Sequence, residues 1–130
     1  MKIVHIISSM EIGGAEFNLT KIVEFGPRKD VVSIAVIILG EKGVLAKRIE
    51  ASGVKVYALN ITSIFSLVSG IKILFSVLNR FDRTCIVQTW MYHSDLIGGF
   101  VAKILGFKNI YWGVRNSKYI VKNFRDLRTF

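Results

Sequence analysis

The chain has 130 residues, 52% of them hydrophobic and 12% aromatic, and eighteen Lys/Arg against nine Asp/Glu leave a formal charge of +9. That length and composition fit one packed domain and exclude an intrinsically disordered chain. The single cysteine, Cys85, excludes an internal disulfide framework and suits a reducing cytosol.

The positive excess points to an acidic partner: a phosphorylated substrate, an anionic membrane surface or nucleic acid. Nucleic acid ranks last, because the basic residues are spread along the chain and form no stripe interleaved with aromatics.

Residues 3–7 form an apolar run that reads as a fully buried strand. The run is shorter than the ~7–15 residues of a secretory core, so no leader is read and the sequons at Asn18 and Asn60 are chance matches. Gly13 and Gly14 then allow a tight turn with room for a ligand near the main chain. A helix over 15–25 follows, and its first free N–H groups face whatever sits over that loop. This strand–glycine loop–helix unit is where an α/β domain places a phosphate-bearing ligand.

Gly26 and Pro27 stop the helix, and the Val/Ile-rich run 31–39 is typical of a central strand covered on both faces. A turn at 40–43 leads to a short helix over 44–51, ended by Gly53, and then to a strand over 54–59. The longest hydrophobic segment, 61–78, is broken by Ser63, Ser66, Ser69, Gly70, Lys72 and Ser76. A membrane span needs ~20 mostly apolar residues, so the helix read over 64–81 packs on a core, with a monotopic membrane helix as the lesser alternative. A strand over 84–89, a helix over 95–105 closed by Gly106 and a strand over 109–114 follow. The body, 1–117, reads as one domain; the tail, 118–130, is basic and reads as helical, with the helix over 117–128. The alternation predicts an α/β fold: a doubly wound, mostly parallel sheet.

Ligands of such sheets sit beyond the carboxyl ends of the strands, an edge reached here by 8–14, 90–95 and 113–117. The glycine loop is not G-x-G-x-x-G, no acidic residue closes the second strand as a ribose hook, since Glu41 lies past Gly40, and no P-loop Lys-Ser/Thr is present. It reads either as a ligand loop or as a turn that only lets helix and sheet approach. His93 reads either as a general base or sugar-hydroxyl partner, or as a surface loop residue. Trp90 or Tyr92 can stack on an apolar sugar face or a lipid, whereas Asp95 reads as a helix N-cap. His5, inside the first strand, reads as a satisfied core histidine.

Arg115 offers a planar fork for phosphate or carboxylate, with Asn116 and Ser117 as neutral partners; the alternative is a charged loop capping the tail. Ile120, Phe124 and Leu127 share one face of the tail helix, which lies on a neighbour or, less favoured, on anionic lipid. No metal-ligand spacing or nucleophile elbow is present, which argues against hydrolases and metalloenzymes.

Four stretches carry a resemblance: MKIVHIISSMEIGGAE at the start, GEKGVLAKRIEASGVKVYAL in the middle, then IVQTWMYHSDLIGGFVAKILG and YWGVRNS. Together they resemble the N-terminal domain of the retaining GT-B glycosyltransferases of family 4. The resemblance implies a Rossmann-like domain that binds the acceptor and forms one wall of a cleft. Gly13 and Gly14 would lie near the donor diphosphate, Glu16, Trp90, Tyr92 and Asn116 would bind the acceptor, and His93 and Arg115 would serve the reacting centre.

Many relatives carry histidine where Arg115 stands, so a histidine-based role does not transfer there. The implied co-substrate is a nucleotide-sugar, with no metal and no other cofactor. The acceptor would be a saccharide or lipid-linked, in cell-envelope polysaccharide or glycolipid synthesis, in the cytoplasm or peripherally on the inner membrane face. Such enzymes hold most of the donor on a second Rossmann-like domain with paired glutamates, which residues 1–130 do not include, so the chain alone is expected to be inactive. The rivals are a non-catalytic module docking on a separate donor-domain subunit, a truncated remnant, or a free-standing nucleotide-binding domain.

Overall fold

In the computed structural model, residues 2–8, 14–25, 32–90, 92–113 and 120–123 are described. Strands β1 (Lys2–Ile7), β2 (Val32–Ile38), β3 (Lys55–Ala58), β4 (Ile86–Trp90) and β5 (Asn109–Gly113) alternate with helices α1 (Gly14–Phe25), α2 (Ala46–Ala51), α3 (Ile64–Leu78) and α4 (Tyr92–Leu105), and β6 (Ile120–Asn123) follows. The sheet order is β3-β2-β1-β4-β5-β6. The first five strands are mutually parallel and β6 runs antiparallel to β5. This is the expected α/β, mostly parallel, Rossmann-like sheet.

Side chains alternate across a strand, so each central strand feeds two cores. Val4, Ile6, Ala35 and Ile37 pack with Leu74 and Leu78 of α3 and Val101 and Ala102 of α4. On the opposite face Ile7, Val36 and Ile38 pack with Leu19 and Val23 of α1, Ile49 of α2 and Trp90. Helices α1 and α2 therefore cover one face, and α3 and α4 the other. Among the described residues, no helix is long and apolar enough to cross a membrane.

Local chemistry sets the element ends. Gly53 and Gly106 follow α2 and α4 with φ of +88° and +94°, the left-handed conformation that glycine adopts without a Cβ penalty. Ser63 begins α3 through a reciprocal cap. Its hydroxyl accepts the Ser66 N–H at 3.3 Å, and the Ser66 hydroxyl accepts the Ser63 N–H at 2.9 Å.

Three sequence readings need correction. α4 starts at Tyr92, so Asp95 lies within its first turn and is not the N-cap. β4 runs through Trp90, one residue further than read, which carries that indole into the core. The tail helix read over 117–128 is not formed at 120–123, where β6 pairs with β5. β-Branched Ile120 and Val121 suit a strand, and pairing there satisfies backbone groups that β5 would otherwise present at an open edge. The remainder of the tail lies outside the described residues.

At Gly98 α4 comes close to the sheet: a Cβ there would stand 2.9 Å from Ile6 Cδ1 and 3.0 Å from its Cγ2. Gly98→Ala is therefore expected to destabilise the fold. Overpacking of about 1–3 kcal/mol outweighs a helix-propensity gain of about 1 kcal/mol. Gly106→Ala meets no atom within 4 Å and should lose about 1–2 kcal/mol through backbone strain alone. Urea unfolding checks both; an unchanged midpoint for Gly98→Ala would mean that α4 does not lie this close to β1.

Candidate functional site

The chain leaves β1 through α1 to build outward to β2 and β3, and it leaves β4 through α4 to build outward to β5. β1 and β4 are neighbours, pairing from Ile3↔Ile86 to Ile7↔Trp90. The strand order thus reverses between them, and the carboxyl ends at such a reversal are where doubly wound sheets take ligands. Gly14 opens α1 and Tyr92 opens α4 at this edge, so each helix turns its amino-terminal end toward it.

Hydrogen bonds between neighbouring connections hold the edge together. The Asn60 N–H donates to the Gly40 carbonyl at 3.1 Å, and the Gly40 N–H donates to the Ser8 carbonyl at 3.0 Å. A Cβ on Gly40 would lie 3.1 Å from that same Ser8 oxygen, so a larger residue would loosen the junction. The Ser8 and Ser94 hydroxyls meet at 3.1 Å and join the end of β1 to the first turn of α4. Thr89, near the end of β4, donates to Asp95 Oδ1 at 2.6 Å, with the Tyr111 carbonyl of β5 a weaker second acceptor at 3.3 Å. Its single hydroxyl proton favours the shorter, charge-assisted bond.

Below this edge sits a buried polar pair. Trp90 Nε1 donates to His5 Nδ1 at 3.1 Å, and His5 Nε2 lies 3.0 Å from Ser33 Oγ. Indole nitrogen only donates, so Nδ1 must accept and Nε2 carries the proton that goes to Ser33. His5 is thus the satisfied core histidine expected, and desolvation lowers its pKa from 6.5 to about 3. Gln88, opposite His5 in the β1–β4 register, donates to the Thr89 carbonyl, and its Oε1 has no partner among the described residues.

Of the residues predicted for the site, the structure places Gly14, Tyr92 and His93 at the switch-point edge as openers of α1 and α4. Glu16 lies in the first turn of α1 and is 7% exposed. Trp90 is reassigned: it is 4% exposed, its ring packs against His5, and its indole N–H is already bonded, so it serves the core and not a sugar face. Gly13, Arg115 and Asn116, like the side chains of Tyr92 and His93, lie outside the described residues.

The Ser8–Ser94 and Thr89–Asp95 contacts escaped the sequence reading. The one signal for them was the clustering of hydroxyl and acid residues at strand ends. A cleft of about 470 Å³ lined by Lys2, Asp82, Thr84 and Cys85 lies at the amino edge of the sheet, away from this chemistry. Among the described residues no three His, Cys, Asp or Glu gather as a metal site.

The folded chain keeps His5 neutral while the unfolded chain takes up a proton below pH 6.5. Its contribution to stability is therefore complete above about pH 6.5 and is lost as the pH falls toward 3. Urea unfolding across that range should show a shallower pH dependence for His5→Gln than for the natural chain. Parallel profiles would mean that His5 is not held neutral in the fold.

No family model matches the chain and no curated protein matches it, so the resemblance to family 4 glycosyltransferases rests on the sequence stretches that carry it.

Proposed function

We propose that the chain is the acceptor-binding half of a retaining, nucleotide-sugar-dependent glycosyltransferase of the GT-B type, with the crevice beyond β1 and β4 as its wall of the cleft. The observation that carries this reading is the convergence of two helix N-termini, those of α1 and α4, on one switch point. The aligned peptide dipoles of both helices favour a diphosphate and the negative charge that grows on it as the sugar leaves. The formal charge of +9 favours the same anionic donor at longer range.

Gly13 and Gly14 would let the diphosphate approach the main chain. His93 and Arg115 would act at the reacting centre, and Glu16, Tyr92 and Asn116 would contact a saccharide or lipid-linked acceptor. A dinucleotide cofactor fits less well. β2 ends in Ile38, followed by buried Leu39, so no carboxylate stands where a ribose would be held.

Backbone amide NMR during titration tests the reading. UDP-glucose is expected to shift the signals of Ser8, Gly14 and Ser94 and to leave Thr84 and Cys85 unmoved, with NAD producing no comparable change. Arg115→Ala should weaken the UDP-glucose interaction by about tenfold or more, the scale of one charge-assisted hydrogen bond. Tight NAD binding at the glycine loop, or shifts confined to the amino edge, would overturn the proposal.

A further inference from the structure

We propose that the outer faces of α3 and α4 form a docking surface for an anionic lipid bilayer. Among the described residues ten large hydrophobic side chains are exposed, and seven of them lie on these two helices. At the start of α3, Ile64 is 80% and Phe65 90% exposed. Val68 continues that face one turn on, and on α4 Leu96, Phe100 and Ile104 recur every four residues along the outward side. The two helices pack side by side on the same face of the sheet.

α3 packs its inner face on the core, and its outward side sets Ile64, Phe65, Val68 and Ile73 among exposed Ser69, Lys72 and Ser76. At 15 residues it is too short to cross a bilayer, which takes ~20, so the cover it calls for is an interface and not a membrane interior.

Charge selects the occupant. α3 holds Lys72 and no acidic residue, exposed Arg80 follows it, and α4 ends with exposed Lys103 before Lys108. The one acidic residue of α4, Asp95, already accepts the Thr89 hydroxyl. Apolar side chains among cations, with no exposed carboxylate among the described residues of either helix and exposed Asp82 only in the turn beyond Arg80, are the composition that inserts between anionic headgroups.

The opposite layer is built differently. There Glu24 pairs with Arg48 at 2.8 Å and Glu50 with Lys42 at 3.0 Å, while exposed Phe17 lies beneath Lys21 and Arg48. A two-fold dimer through α3 and α4 would bring two surfaces of the same positive sign together, so a second copy is the poorer occupant. The surface stands whatever the crevice binds.

Flotation of the purified protein with vesicles is the test, comparing equal parts phosphatidylglycerol and phosphatidylcholine with phosphatidylcholine alone. The protein is expected to float with the mixed vesicles and to stay behind with the neutral ones. Phe65→Ser with Phe100→Ser should lower the bound fraction about tenfold or more, as expected for removing two inserted aromatic rings. Lys72→Glu alone should lower it about fivefold or more.

Both phenylalanines are exposed, so circular dichroism of the double variant should match that of the natural chain. Absence of flotation, equal flotation with both vesicle types, or an undiminished double variant would overturn the proposal. So would a dimer in sedimentation equilibrium that the double variant turns into monomer.

Discussion

β1 lies at the centre of the sheet with every side chain from Ile3 to Ile7 buried, and the rest of the architecture follows from satisfying both of its faces at once. A parallel strand of this kind needs helices above and below it, each joined by a right-handed crossover. α1 and α2 supply one cover and α3 and α4 the other, so the chain must build outward from β1 one way and from β4 the other. Each fully buried Ile or Val contributes about 1.5–3 kcal/mol to that arrangement. The switch point between β1 and β4 is a by-product of covering both faces, set by the topology before any residue is chosen to act there.

A histidine in the middle of such a strand would cost free energy if its nitrogens were left unpaired. Here Trp90 and Ser33 take one nitrogen each, and the neutral ring becomes part of the packing. This pair shows how far the amino-acid sequence could be read. That β1 and β2 are central strands was legible, because continuous Val/Ile runs bounded by turn residues have few other uses. The glycines that end α2 and α4 were legible too, since a chain reversing there needs a positive φ.

Trp90 was misread because its role depends on register across β1 and β4, which no local pattern encodes. A single added residue in β4 turned an exposed loop indole into a core one. The start of α4 slipped for a related reason: Asp95 has the chemistry of a cap, yet its carboxylate is engaged by Thr89, and the helix begins a turn earlier. At 120–123 a helical spacing of apolar residues lost to the pull of an open sheet edge, a tertiary influence that periodicity alone does not register.

The two helical layers face the surroundings with different chemistry. On α1 and α2 the outward residues form ion pairs and cation–aromatic contacts, so that surface is satisfied by water and by itself. On α3 and α4 the outward residues are apolar or cationic, with hydroxyls between them. Because α3 and α4 each follow a strand, their first turns begin at the carboxyl edge of the sheet. Ile64, Phe65 and Leu96 therefore stand at the same end of the molecule as the switch point.

That shared edge links the two proposals without making either depend on the other. A bilayer held against the start of α3 and α4 would lie beside the switch point, and an acceptor carried on a lipid would reach the crevice by lateral diffusion. The Ser8–Ser94 and Thr89–Asp95 bonds tie the first turn of α4 to β1 and β4, so this turn cannot shift without breaking contacts at the carboxyl edge of the sheet. A helix that both touches the lipid and frames the crevice would then fix the distance between membrane and site by its own rigidity, with no flexible tether required.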